Sequence, residues 1–286
     1  MRKLSITLFT FLFTYVVSAY DFNGLANCSV SQSSLVQQSA PLPKAKHKLV
    51  VIAHRGSHLK VPENTLAAYK DAIKEGADYV EVDLRTTKDG HLVIMHDESI
   101  TRMTGIKEQV KDLNYSDIRN LKVKPAVKGD TNTYHIPEFA DVLNVCKGRI
   151  NIYLDFKDAD VEKTYRLLKK YGMQNNVVVY LNKEEQYGQW KNVAPHVPLM
   201  ASLPENADSL QLNNFLEKKH LDVVDNAYTV DLINLVHKRK IAVWLDVQNN
   251  DEGPATWEQA LKLGADGLQT DHPEKLIKYL EDQGKR

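Results

Sequence analysis

The sequence predicts an α/β chain folded as a TIM (β/α)8 barrel with a small polar insertion after its third strand, and three observations carry that expectation. Short β-rich runs alternate with helical patterns from Lys48 onward. About eight such runs fit into roughly 240 residues, the size of one barrel domain. No glycine-rich phosphate loop follows the first run, as it usually does in an open doubly wound sheet.

At the N-terminus, "MRKLSITLFTFLFTYVVSAYDF" sets Arg2 and Lys3 before an apolar run from Leu4 to Val17, then the small pair Ser18 and Ala19. This order predicts a secretory signal peptide over residues 1–19, since the run is shorter than the roughly 20 residues of a spanning helix. An uncleaved N-terminal anchor is the alternative, and no later segment looks transmembrane. The expected location is therefore secreted or periplasmic. Residues 20–46, rich in Ser, Gln, Asn and Pro without periodicity, predict a flexible leader. Within it, "LANC" at 25–28 has a faint lipobox look, but Cys28 sits far beyond the apolar run, so lipoprotein anchoring is secondary. Cys28 can also pair with Cys146; a free, buried Cys146 is the simpler expectation.

The barrel is expected over residues 47–286. Its strands read "KLVVIAH", "ADYVEVDL", "HLVIMH", "INIYLDF", "NVVVYL", "VPLMASL", "LDVVD" and "IAVWLDV", with "ADGLQTD" as a possible ninth. Between the first two, "ENTLAAYKDAIKEGA" predicts a helix: Asn64 or Thr65 can cap it, Leu66, Tyr69 and Ile73 recur at helical spacing, and Gly76 can end it. Similar patterns cover 161–171, 207–219, 229–239 and 255–263. The stretch from Asp97 to about Tyr134 breaks the rhythm and is polar, which predicts an insertion over residues 97–135, above one mouth of the barrel.

Lys plus Arg equals Asp plus Glu at 37 each, so no bulk field attracts nucleic acid or an anionic membrane. Any anion must be met by a local site. In such a barrel that site lies at the C-terminal ends of the strands. The first strand ends in His54 and Arg55, the second carries Glu81 and Asp83, the third ends in His96, and the fourth carries Asp155 and Lys157. Glu81 and Asp83 are two apart and share one face of their strand; Asp155 and Lys157 repeat the arrangement. Three converging carboxylates repel one another unless a cation sits among them, and all-oxygen ligation favours Mg²⁺ or Ca²⁺. His54 and His96 can exchange protons near neutral pH. Arg55 and Lys157 add positive charge suited to a phosphate. Together these residues imply metal-assisted cleavage of a phosphoester.

The sequence resembles the glycerophosphodiester phosphodiesterases in "AHRGSHLKVPENTLAAY", "GADYVEVDLRTTKDGHLVIMHDESITRMTG", "IPEFADVL", "YLDFK" and "GADGLQTDHPEKL", which stand in family order over residues 50–280. The resemblance implies a TIM barrel that hydrolyses small-molecule glycerophosphodiesters to an alcohol and sn-glycerol 3-phosphate with a divalent cation, Ca²⁺ or Mg²⁺. It implies His54 and His96 as the acid–base pair, Glu81 and Asp83 as metal carboxylates, Arg55 and Lys157 as phosphate contacts, and Glu63 as a brace for Arg55 or the site. Asp155 stands where the family usually has glutamate, a methylene longer. "VWLDV" departs from the family's tryptophan–threonine pattern, leaving Trp244 either on the alcohol side or in the core. A lysophospholipase D or sphingomyelinase-like enzyme on the same barrel is the enzymatic rival and would need apolar residues in the 97–135 insertion. A non-catalytic phosphodiester-binding protein is the rival from another class. Neither nucleic acid nor an obligate protein partner is expected.

Overall fold

The structure, a computed structural model, describes residues 41–286. The expected signal peptide, Cys28 and most of the leader lie outside the described residues.

Eight parallel strands close a barrel: β1 (Val50–Ala53), β2 (Tyr79–Thr86), β6 (Asn151–Phe156), β7 (Val177–Leu181), β8 (Leu199–Met200), β9 (Val223–Val224), β10 (Ala242–Asp246) and β11 (Gly267–Thr270). They neighbour one another in that order, and β1 pairs with both β2 and β11 to complete the ring. The helices between and after them are α1 (Leu66–Glu75), α4 (Phe139–Cys146), α5 (Val161–Tyr171), α6 (Glu184–Val193), α7 (Ser209–Lys218), α8 (Val230–His237), α9 (Pro254–Leu263) and α10 (Pro273–Asp282).

One expected stave is not a stave. "HLVIMH" supplies β3 (Leu92–Ile94), which pairs antiparallel with the end of β2, Leu84 opposite Ile94. The connection from Thr86 to Leu92 is far too short for a parallel crossover, which needs about a dozen residues, so the chain folds back as a hairpin. "ADGLQTD", expected only as a possible ninth strand, supplies β11, the eighth stave.

Thr65 caps α1 by accepting from the Ala68 amide, and Gly76 ends it in a left-handed conformation, φ 91°. Ala68, Tyr69 and Ala72 face the barrel. Side chains on alternate strand positions point inward, so Tyr79, Glu81 and Asp83 line the interior from β2, Tyr153 and Asp155 from β6, and Trp244 and Asp246 from β10. The lower interior is apolar: Val50, Ile52, Tyr79, Tyr153, Val178, Met200, Val223 and Trp244 form one cluster. Trp244 is 2% exposed, and its ring lies 4.7 Å from that of Tyr79. It fills the barrel rather than lining the alcohol side, because it sits one inward position below the mouth. Gly267 makes room for it: a Cβ there would stand 2.4 Å from Val50 and 2.7 Å from Trp244.

The described end of the leader is packed, contrary to the expectation of flexibility through residue 46. Leu42 and Ala45 lie against the lower cluster, the Tyr79 hydroxyl donates to the Pro43 carbonyl, and Asn151 donates to that of Lys44. These residues cover the N-terminal end of the barrel.

The insertion carries α2 (Thr101–Thr104), a 3₁₀ turn (Val110–Asp112), α3 (Tyr115–Ile118) and the two-residue strands β4 (Lys122–Val123) and β5 (Tyr134–His135), which pair antiparallel. Most of its apolar residues form a small core of its own, with Ile100, Met103, Val110, Ile118, Val123 and Tyr134 against Val93 and Met95 of the hairpin, while Ile106 and Val127 are exposed. Cys146 is free and buried, and burial pushes its thiol up to about 12, so it is inert. Among the described residues no helix is long and apolar enough to cross a membrane.

Candidate active site

At the end of β1 the backbone turns left-handed at Arg55, φ 52°, and Gly56, φ 79°. The turn rests on α1: the Ser57 amide donates to the Ala68 carbonyl, and a Cβ on Gly56 would lie 2.7 Å from the Ala68 backbone. Only glycine fits there. This bend aims the Arg55 amide at Glu81, whose Oε2 accepts it at 2.8 Å.

Glu81 and Asp83 are buried, at 2% and 0% exposure, and Asp155 is partly exposed beside them. The register sets Asp83 opposite Asp155, and one oxygen from each of the three carboxylates lies within 4.8 Å of the others. Asn64, at φ 56°, does not cap α1; its amide nitrogen donates to Asp83 at 2.7 Å while the Tyr69 hydroxyl donates to its oxygen. Asn182 donates to Asp155 at 2.6 Å. Lys157 reaches into the cluster, with Nζ hydrogen-bonded to Asp155 and 3.0 Å from Asp83.

The charges are not balanced. Burial raises Glu81 well above the usual carboxylate range, and Asp83 and Asp155 add to it. Burial also opposes ionisation of Asp83, but Lys157 and the Asn64 amide, helped by His96 and Arg55, hold it below its ordinary value. Burial raises Asp155 despite Lys157. One ammonium thus serves three acids, and the cluster takes a proton where a doubly charged cation would remove the need for one. An all-oxygen donor set this close, with its Asp83 Oδ1 lacking a directed hydrogen bond, fits a hard divalent ion.

His54 and His96 stand at the same mouth. His54 Nδ1 lies 2.7 Å from Asp271 Oδ1, so Nδ1–H donates and Nε2 is left for substrate. His58 lies close by, its Nδ1 donating to the His54 carbonyl. His96 follows the β3 hairpin, not a barrel strand; the Met95 amide donates to the Asp83 carbonyl, and Arg85 donates twice to the His96 carbonyl, at 3.1 and 2.7 Å. These bonds bring His96 beside Asp83. Its Nδ1 lies 2.9 Å from Asp97, which Arg102 pulls down to about 2. Arg102 also forks onto Glu63, with both contacts at 2.8 Å, and Glu63 accepts from Arg55 at 2.9 Å. Glu63 therefore links Arg55 to Arg102 of the insertion, which holds the Asp97 partner of His96.

Sequence reasoning brought eight of its nine named residues to one mouth; Trp244 is the exception. It missed Asn64, Asp271, Asp97 and Arg102, which orient the others. It also missed the opposite wall, where Asp225 and Asp246 end β9 and β10. Asp225 accepts from Ser202 at 3.0 Å, and Asp246 accepts from Gln269 at 2.9 Å. Asp225, Asp246 and Asp271 all close strand runs, so the rule that picked Asp155 would have found them.

Comparison with known proteins gives a coherent result. Residues 54–275 match the model of the "Glycerophosphoryl diester phosphodiesterase family". A glycerophosphodiester phosphodiesterase of Caldanaerobacter subterraneus subsp. tengcongensis is 29% identical over 255 residues, covering 83% of this chain and 100% of that one. A human lysophospholipase D is 26% identical over 274 residues, covering 81% of this chain and 86% of that protein. An Oleispira antarctica phosphodiesterase, solved in complex with the product sn-glycerol-3-phosphate, superposes with a TM-score of 0.71 at 21% identity, over 85% of this chain and 97% of that one, a likeness of fold.

Proposed function

The chain belongs to the glycerophosphoryl diester phosphodiesterase family and is a phosphoric diester hydrolase, and from this premise we propose that it cleaves glycerophosphodiesters to an alcohol and sn-glycerol 3-phosphate with Ca²⁺ or Mg²⁺. The observation that carries the reading is the meeting of three carboxylates, two histidines and two cations at the C-terminal end of one barrel.

Glu81, Asp83 and Asp155 would hold the divalent ion, which would supply positive charge to offset the charge that develops on the phosphate. Arg55 and Lys157 bind and orient the phosphate, Arg55 from a guanidinium fixed by Glu63. His54 and His96 divide the proton work: one takes the proton of the attacking oxygen, the other supplies one to the leaving oxygen. Asp271 and Asp97 fix each ring by its Nδ1, leaving Nε2 on both histidines for the reacting atoms.

The insertion is mostly polar and most of its apolar residues, Ile106 and Val127 apart, are taken up in its own core, which supports a small, water-soluble diester over a lysophospholipid. The salvage of glycerol phosphate and alcohols from deacylated phospholipids, by a secreted or periplasmic enzyme, is the role that this substrate and the signal-peptide pattern of residues 1–19 support. Removal of divalent ions with EDTA should abolish hydrolysis of glycerophosphocholine, and Ca²⁺ or Mg²⁺ should restore it. Full activity after exhaustive chelation would refute the reading.

A further inference from the structure

Across the mouth from the three acids stands a second acidic wall that the hydrolytic machinery does not use. In the ring of eight strands, β9 lies four positions from β2, so Asp225 faces Glu81 and Asp83 across the barrel. Asp246 is its neighbour on β10. Below them is Tyr153, whose buried phenol is disfavoured from ionising first by burial and then by Asp246, Asp225 and Asp155. Tyr180 joins the wall through a 2.8 Å hydrogen bond to Ser202, which also donates to Asp225. At the lip, Tyr228 is 51% exposed and its hydroxyl donates to the Asp246 carbonyl.

No Lys, Arg or His among the described residues forms an ion pair with Asp225 or Asp246, whereas on the first wall Lys157 stands 3.0 Å from Asp83 and is hydrogen-bonded to Asp155. Two polar atoms here are left without partners. Gln269 is 4% exposed; its Nε2 is used on Asp246 and its Oε1 has no hydrogen bond. Asp225 is 6% exposed, and its Oδ1 likewise has none. Buried polar atoms are rarely left so unless water, an ion or a ligand completes them.

We propose that Asp225 and Asp246, rimmed by Tyr180 and Tyr228, form a head-group subsite that selects glycerophosphodiesters whose alcohol is a cationic amino-alcohol. This rests on the hydrolytic reading of the first wall and specifies which diester it acts on. With the phosphate held at β1, β2 and β6, one ester arm extends over the Tyr153 floor to β9 and β10. A cation there supplies the missing countercharge, and aromatic faces at the rim attract an ammonium. A neutral polyol would bring hydrogen bonds but leave the two carboxyls facing each other uncompensated. Ser202 and Gln269 donate to these carboxyls, but burial raises both above the ordinary carboxylate value, and a cation bound beside them would favour their ionised form. Burial, then Asp225 and Asp155, push Asp246 up to about 8 in the free protein, as expected of an acid without its counter-ion.

The test compares kcat/KM for glycerophosphocholine, glycerophosphoethanolamine and glycerophosphoinositol in the wild type, Asp246→Asn and Asp225→Asn, with inhibition by choline alone as an independent probe. The wild type should prefer the two cationic substrates. In each variant the ratio of cationic to neutral kcat/KM should fall about tenfold, roughly the loss of one such contact, and choline should inhibit less by a similar factor. Equal losses on all three substrates would overturn the proposal, as would unchanged ratios. If the variants do not fold, the wild type decides: choline inhibiting no better than inositol overturns the subsite. Failure of the wild type to hydrolyse any of the three would instead refute the phosphodiesterase reading, and the subsite with it.

Discussion

On the wall built by β1, β2 and β6, each acid has a fixed partner: the Arg55 backbone amide for Glu81, Asn64 and Lys157 for Asp83, Asn182 and Lys157 for Asp155. On the wall built by β8, β9 and β10, Asp225 and Asp246 have hydroxyl and amide donors and no cation among the described residues. Both walls place aspartates on inward positions at strand ends, so the barrel geometry is the same and the difference lies in what surrounds the carboxyls. The first wall imports its cations from neighbouring turns, Arg55 from the left-handed bend after β1 and Lys157 from two residues beyond Asp155. The second imports none. Local chain geometry, more than residue type, makes one wall ready for a phosphate and leaves the other short of positive charge.

The contrast is broken most severely by the histidines of the first wall. His54→Ala and His96→Ala should each lower kcat by about 10²- to 10⁴-fold, the usual contribution of a positioned acid or base, with circular dichroism unchanged. Near-normal turnover in either would remove the paired-histidine assignment. A smaller effect is expected from Asp271→Asn, which keeps the shape but no longer favours the Nδ1–H tautomer of His54. Its kcat should fall about 10- to 100-fold with KM little changed, because the ring loses the carboxylate that orients it. A kcat equal to that of the wild type would separate Asp271 from His54.

The smallest effect concerns stability on the second wall. Asp246 has a folded pKa near 8 against an ordinary value of 3.8, so between those values the native state binds more protons than the unfolded one. Stability therefore falls as pH rises through that window, and Asp246→Asn, which does not titrate, escapes the fall. The Tm difference, variant minus wild type, should be more positive at pH 8 than at pH 5. A difference that shrinks with pH would show that Asp246 is stabilised as an anion by a partner.

Much of this was legible in the sequence, for definite reasons. Period-two alternation made Glu81 and Asp83 share a face, and the strand-end rule placed His54, Arg55 and Lys157 at the mouth. α5 was expected over 161–171 and occupies Val161–Tyr171, because Asp160 caps it and Gly172 ends it. What escaped depended on chain reversal or on distant partners. The β3 hairpin reads as an ordinary strand because its apolar run carries no sign of direction; only the short link to β2 betrays it. α6 was missed because Gly188 and its polar run blur the helical period, although Trp190 buries fully. Trp244 sits at the right strand but one inward position too low, a distinction that depends on where the strand meets the mouth. Asn64 was read as a helix cap, and its bond to Asp83 joins residues 19 apart that no local pattern connects.

The central claim is that the first wall cleaves the phosphodiester on the side that leaves phosphate on glycerol. Phosphorus NMR of glycerophosphocholine turnover, in the presence of Ca²⁺ or Mg²⁺, reads this directly. The account predicts that sn-glycerol 3-phosphate grows in as choline is released, and that His96→Ala stops both. Phosphocholine and glycerol as products, or no phosphorus product at all with either ion, would contradict it.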